Sequence, residues 1–357
     1  MIFFFGIKKG TASPNVNIKK HAMKLMLTAP VTKAECTIDY TDRIMLIGSC
    51  FTEHIGNYLA NAKFNVLLNP NGILFDTKTV SHVLTSCIHN KPIEAHELFY
   101  YNELWQHWQY HTQYSGIHKQ DVLLQLNTLQ SQAHEYIRAA TVLIITLGSA
   151  YSYVLNATTP KDYATATHVA NCHKAPQQWF TKELLGIADQ VALLDNCLYQ
   201  LKQLNPNCKV IFTISPVRHI RDGLVENNRS KARLIEVVHH LTSKFTGLYY
   251  YPAYELVIDV LRDYRFYDID LVHPNYLATS YVMDQFVTTY MQPQTMAIIE
   301  KVKAIVRAAN HKPTHQSTQA HKAFVSQHIA LIHALQALMP TISLQKELAY
   351  FEHNIRY

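Results

Sequence analysis

The sequence predicts an α/β fold, a three-layer open parallel sheet with helices on both faces that carries an aromatic insertion and a C-terminal helical extension. Three observations predict it. The runs Val142–Leu147 and Lys209–Ile214 are short, almost continuous stretches of aliphatic and β-branched residues, the pattern of strands buried on both faces. Segments of helical periodicity alternate with such runs, which is how parallel strands are connected. A third apolar run, residues 44–47, stops at Gly48 and gives way to a helical segment over 52–62, so Ser49 and Cys50 fall at a strand-to-helix turn.

The elements follow in order. Residues 1–22 mix Gly, Ser, Pro, Asn and Lys without periodicity and read as a disordered extension. The first strand lies within 36–48. After the helix over 52–62, the chain reaches Asn69-Pro70-Asn71-Gly72, a tight turn by composition. Asp76 is placed to cap a helix over 77–88. Residues 98–116 are rich in aromatics and histidine and alternate apolar with polar, which predicts a strand or hairpin within an insertion spanning about 90–140. A helix over 122–136, the strand Val142–Leu147 and a hairpin-like stretch over 151–170 come next. Then follow a helix over 182–204, the strand Lys209–Ile214, a helix over 227–245, the strand Leu248–Tyr251 and a last core helix over 276–291. Residues 292–357 read as a separate extension of two or three amphipathic helices with a polar linker near 311–319.

Composition narrows the function. A chain of 357 residues with 48% hydrophobic and 16% charged residues has the makings of a large core. Lys and Arg exceed Asp and Glu by 32 against 26, a net charge of +6 spread along the chain, so nucleic acid is not expected as a partner. The six cysteines show neither paired nor C-x-x-C spacing and read as free thiols of a reducing compartment. The apolar opening, residues 1–7, is too short for a membrane span and lacks a basic region before it, so a cytoplasmic protein without a membrane partner is expected. The 22 tyrosines suit either polar-aromatic binding surfaces or ordinary packing.

Two stretches carry chemistry. Ser49 and Cys50 stand at a helix N-terminus, where unpaired N–H groups and the helix dipole favour developing negative charge. Far downstream, Asp270 precedes His273 by three residues, so the carboxylate can hold one imidazole nitrogen and leave the other free as a base. Nucleophile, acid and histidine thus occur in the order of an acyl-transfer triad. A cysteine so placed is expected to be acidified.

With Gly48-Ser49-Cys50-Phe51-Thr52 and Asp270-x-x-His273-Pro274, the chain resembles the GSCFA family, a branch of the SGNH (GDSL-like) hydrolase superfamily, from about residue 23 to the C-terminus. Further landmarks are Asn69-Pro70-Asn71-Gly72, Thr146-Leu147-Gly148, Asn171-Cys172-His173-Lys174 and Ser215-Pro216-Val217-Arg218-His219. The resemblance implies that the Gly72 backbone N–H faces the oxyanion. It also places Gly148 where the superfamily has a Gly-x-Asn-Asp motif, but Gly148-Ser149-Ala150-Tyr151 has no asparagine. Asn171 becomes the replacement amide if the 151–170 segment folds back. Aligning Gly-Asp-Ser without a gap makes Cys50 the nucleophile and Ser49 the cap; a shift of one residue makes Ser49 the nucleophile and Cys50 a packing residue. Both remain open on the sequence. His111, in the insertion near the site, and Arg218 are candidate substrate contacts, and Arg218, His219 and Arg221 suit an anionic substrate part. His107 and His111 are four apart, but on a strand that spacing does not chelate and no acidic ligand accompanies them, so no metal is expected, nor any cofactor.

Three readings follow. The chain is an esterase that removes an acyl group from a carbohydrate or small alcohol, an acyltransferase that passes that group to a sugar hydroxyl, or a carbohydrate-binding protein that has lost the chemistry. The distance of His273 from residues 49 and 50 discriminates the last from the others.

Overall fold

The computed structural model describes residue 27 and residues 33–311 and 318–354. The extension over 1–22 and residues 312–317 of the polar linker lie outside the described residues.

Strand β1 (Arg43–Gly48), helix α1 (Cys50–Asn61), strand β2 (Asn65–Leu68) and helix α2 (Thr77–His89) open the fold. The hairpin of β3 (Phe99–Tyr101) and β4 (Leu104–Gln106) and helix α3 (Lys119–Arg138) form the insertion. There follow β5 (Val142–Leu147), β6 (Tyr151–Leu155), β7 (His168–Val169), β8 (Phe180–Leu184), α4 (Ile187–Leu204), β9 (Lys209–Ile214), α5 (Leu224–Lys244) and β10 (Leu248–Tyr251). The short α6 (Ala253–Glu255) runs into a π-helical turn, Leu256–Leu261. Helices α7 (Tyr276–Tyr290), α8 (Pro293–Asn310), α9 (Gln319–Leu338) and α10 (Gln345–Asn354) close the chain.

The central sheet has five parallel strands in the order β10-β9-β5-β1-β2. Counted along the chain this is 2-1-3-4-5, the doubly wound order in which ligands bind at the carboxyl ends of the strands flanking the first. The apolar runs are continuous because both faces are covered. Ile44, Leu46, Val142, Ile144 and Ile211 pack on one side with α1 and α7, while Met45, Ile47, Leu143, Ile145, Val210 and Phe212 pack on the other with α2, α3, α4 and α5. Each fully buried side chain of this kind is worth about 1.5–3 kcal/mol.

One expectation needs correction. Residues 182–204 are not one helix: Phe180–Leu184 pairs antiparallel with β6, Lys182 opposite Tyr153, and α4 begins only after its N-cap, Gly186. The alternating Phe180-Thr181-Lys182-Glu183-Leu184 suits a strand, and β6 supplies a partner that the sequence alone does not reveal. The C-terminal helices pack against the sheet domain. Ile299, Val302, Ile332, Leu335 and Phe351 share one apolar cluster with Ile44, Phe51 and Phe286, and Lys63 pairs with Glu347 at 2.6 Å. Among the described residues no helix is long and apolar enough to cross a membrane.

Candidate active site

Strand β1 ends where only glycine fits. Gly48 has φ +143°, and a Cβ on it would lie 2.2 Å from the Thr146 carbonyl oxygen of the neighbouring strand. Its N–H donates to Asn69 Oδ1 at 2.9 Å, while the Asn69 N–H donates to the Leu46 carbonyl at 2.9 Å, so the Asn69-Pro70-Asn71-Gly72 turn braces the strand end. The chain then enters α1 with Ser49 as N-cap and Cys50 as first helical residue.

The two candidate nucleophiles part here. Ser49 is buried, makes no capping bond and has a hydroxyl without a partner among the described residues. Cys50 is half-buried and lies on the wall of a cavity of about 710 Å³, which Asp270, His273, Asn171 and Arg218 also line. That volume suits a small-molecule ligand.

His273 reaches the cavity from the loop before α7. Asn275 caps that helix by accepting from the N–H groups of Leu277 and Ala278 at 3.0 and 3.2 Å, and its amide donates back to the Arg265 and Tyr267 carbonyls. Within the loop, Asp270 Oδ2 lies 2.6 Å from His273 Nδ1, and Oδ1 accepts from the Val272 and His273 N–H groups at 2.9 and 3.0 Å. The bond to His273, and then the two N–H groups, hold the Asp270 carboxyl down at about 2. Among the described residues His273 Nε2 has no hydrogen-bond partner, so it is free to act on a ligand.

The expectation of an acidified cysteine does not hold. The Cys50 thiol is raised, first by burial and then by Glu53, and these outweigh the Lys231 ammonium and the N–H groups of Phe51 and Cys50, which lower it. A base is therefore needed before the sulfur can attack.

Several predicted contacts fall away from the cavity. Gly72 is not on its wall, because its N–H closes the turn onto the Asn69 carbonyl at 2.7 Å and its α-carbon packs against His111, whose Cβ would be 2.3 Å from any added methyl. The Gly72 oxyanion role is thus corrected: that donor is already spent. His111 also lies off the wall, its backbone N–H bonded to the Asn71 carbonyl at 2.8 Å and its ring accepting from the Gln113 N–H at 3.3 Å. The Gly148 N–H donates to the Phe75 carbonyl at 2.8 Å and is likewise unavailable. Asn171 does fold back with the β6–β7 segment. Its Oδ1 accepts from the His173 N–H at 2.9 Å, which leaves the amide nitrogen without a partner among the described residues.

Lys231 was not singled out from the sequence. It is buried on α5 and donates to the carbonyls of Gly148 and Ser215 at 2.6 and 2.7 Å, with no carboxylate partner among the described residues. Burial pushes it down from 10.5 to about 7, with Cys50 acting in the opposite direction. A signal did exist: Asn227, Ser230, Lys231, Leu234, Val238 and Leu241 form the inward stripe of α5, and a lysine on such a stripe needs an explanation. Between about pH 7 and the ordinary lysine range the unfolded chain holds a proton that the folded chain has released, so this group makes stability rise with pH across that window. Lys231→Met is expected to remove that rise. Urea midpoints taken at about pH 6 and about pH 9 should show the parent gaining on the variant at the higher pH, and a difference that stays constant with pH refutes the assignment.

Residues 43–286 match the family model described as GSCFA family, and residues 302–357 match that of GSCFA domain protein, C-terminal domain. No curated protein matches the chain. Among solved structures it is similar to a Clostridium thermocellum family 3 carbohydrate esterase at 9% identity and a TM-score of 0.33, over 73% of this chain and 98% of that one, a likeness too slight to carry an argument.

Proposed function

This chain belongs to the GSCFA family, and from that premise we propose that it is an SGNH-type ester hydrolase working through an acyl-enzyme on Cys50, with an O-acylated carbohydrate or small acyl ester as substrate. The observation that carries the reading is that Cys50, at a helix N-terminus, shares one cavity with a histidine whose other nitrogen is held by a carboxylate at 2.6 Å.

His273 Nε2 takes the proton of the Cys50 thiol as the sulfur bonds to the ester carbonyl carbon. The negative charge gathers on the former carbonyl oxygen, and the Cys50 and Phe51 N–H groups at the start of α1 and the Asn171 amide are the donors left to receive it. Collapse breaks the carbon–oxygen bond, and the departing alkoxide takes the proton from His273. Water then gives a proton to His273 and attacks the thioester, which releases the acid and returns the proton to sulfur. Lys231 favours the thiolate through its charge. Hydrolysis is preferred to transfer because the Asp270 and His273 side chains are 45% and 47% exposed, which leaves the acyl-enzyme open to water. Tyr151 and Tyr153 on the cavity wall suit the stacking face of a sugar. All six cysteines are free, which supports a reducing compartment.

The test is hydrolysis of short-chain aryl and sugar acetates by the purified protein, with mass spectrometry of quenched samples for an acyl group on Cys50. Acid release with a transient Cys50 adduct is expected. Acyl sugar formed from an added acceptor points to the transferase instead, and absence of both turnover and adduct overturns the acyl-enzyme.

A further inference from the structure

The charges on the cavity wall are equal in number but not all paired with one another. Three carboxylates line it, and each is already engaged. Asp76 caps α2 by accepting from the Lys78 and Thr79 N–H groups at 3.0 Å each, Asp270 is held by His273 and two N–H groups, and Asp222 pairs with Lys182. Three permanent cations line it too. Lys182 is matched by Asp222, whereas Arg218 and Arg221 have no carboxylate partner among the described residues.

Arg218 is not merely a solvated side chain. It is half-buried, and its guanidinium lies 4.6 Å from the ring centre of Tyr267 and 5.6 Å from that of Tyr264. Aromatic faces hold the plane of a guanidinium while leaving its N–H edge unspent, which orients the fork for a bidentate oxyanion. Tyr267 itself is buried, and its hydroxyl lacks a partner among the described residues. His219, on the same wall, is pushed down to about 4 by burial and by Lys231, so near neutral pH it adds no competing charge and leaves the two arginines as the unmatched pair.

We propose that the substrate carries an oxyanion, a carboxylate or phosphate group apart from its ester, and that Arg218 and Arg221 bind it. The proposal rests on the acyl-transfer reading for the word substrate, but its binding step does not depend on the chemistry. An anionic sugar ester is then preferred to its neutral counterpart, because only the anion fills the unspent donors of Arg218.

Calorimetric titration separates the outcomes with three probes: galacturonate for the carboxylate, glucose 6-phosphate for the phosphate, and glucose as the neutral control. Either anionic probe should bind at least about tenfold more tightly than glucose, with affinity falling as salt rises. Arg218→Gln and Arg221→Gln should each remove about tenfold of that advantage while leaving glucose binding unchanged. If Arg218→Gln lowers the melting temperature, Arg221→Gln and the salt dependence still decide. Equal binding of all three probes, or an anionic preference that survives both substitutions, overturns the proposal even where Cys50 acylation is found. Anion binding without any Cys50 adduct keeps it and removes the hydrolase reading instead.

Discussion

Cys50→Ala is expected to lower turnover of a short-chain acyl ester by about 10⁴-fold or more, while Ser49→Ala stays close to the parent. The asymmetry follows from where the two side chains point. Cys50 is on the cavity wall with His273 and its sulfur is the atom proposed to bond to carbon, whereas Cys172, the other thiol on that wall, does not sit at a helix N-terminus and is pushed up to about 11 by burial. The Ser49 hydroxyl is buried with no partner among the described residues, and removing an unsatisfied hydroxyl is neutral or mildly stabilising. Because Cys87, Cys197 and Cys208 are buried, iodoacetamide should modify Cys50 well ahead of them, and activity should fall in step with that modification. A Ser49→Ala variant that is inactive yet folded, beside an active Cys50→Ala variant, would transfer the role to serine.

His273→Ala is expected to cost about 10⁴-fold in kcat with little change in melting temperature. The thiol is raised above its ordinary value, so the sulfur depends on a base to lose its proton. The side chains of the pair are nearly half exposed and bury little apolar surface, so the fold loses little without the imidazole. Asp270→Asn is the finer test. The amide oxygen can still accept from the Val272 and His273 N–H groups and keep the loop in shape, but the charge that orients Nδ1 is gone, and a loss of about 10²-fold or more in kcat is expected. Its pH profile separates positioning from damage, since a collapsed loop lowers activity evenly whereas a disoriented imidazole shifts the acid limb. Activity within tenfold of the parent for His273→Ala would remove His273 from the reaction.

Much of the frame was legible because local rules and global packing agree. Apolar runs such as Val142–Leu147 have a single stable use, a strand covered on both faces, and Asp76 caps α2 as its position suggests. Gly48 and the Asp270–His273 spacing are short-range features, so the strand-to-helix turn and the carboxylate–imidazole pair could be read residue by residue. The β8 segment looks helical in the sequence because its partner, β6, lies about thirty residues away, and pairing rather than propensity decides a strand of that length.

Side-chain period and spacing within a few residues are enough to read the open parallel sheet with helices on both faces, the strand-to-helix turn that presents residues 49 and 50, and the histidine with its acid. Which of Ser49 and Cys50 faces the cavity emerges only on folding, because a turn of the chain by one residue exchanges core for solvent. The same holds for the Gly72 N–H, which a carbonyl three residues back has claimed, and for Lys231, which α5 carries beneath the ends of β5 and β9. Donors, carbonyls and charges brought together across 180 residues of chain set the protonation and supply of groups at the site, and no local pattern encodes that meeting.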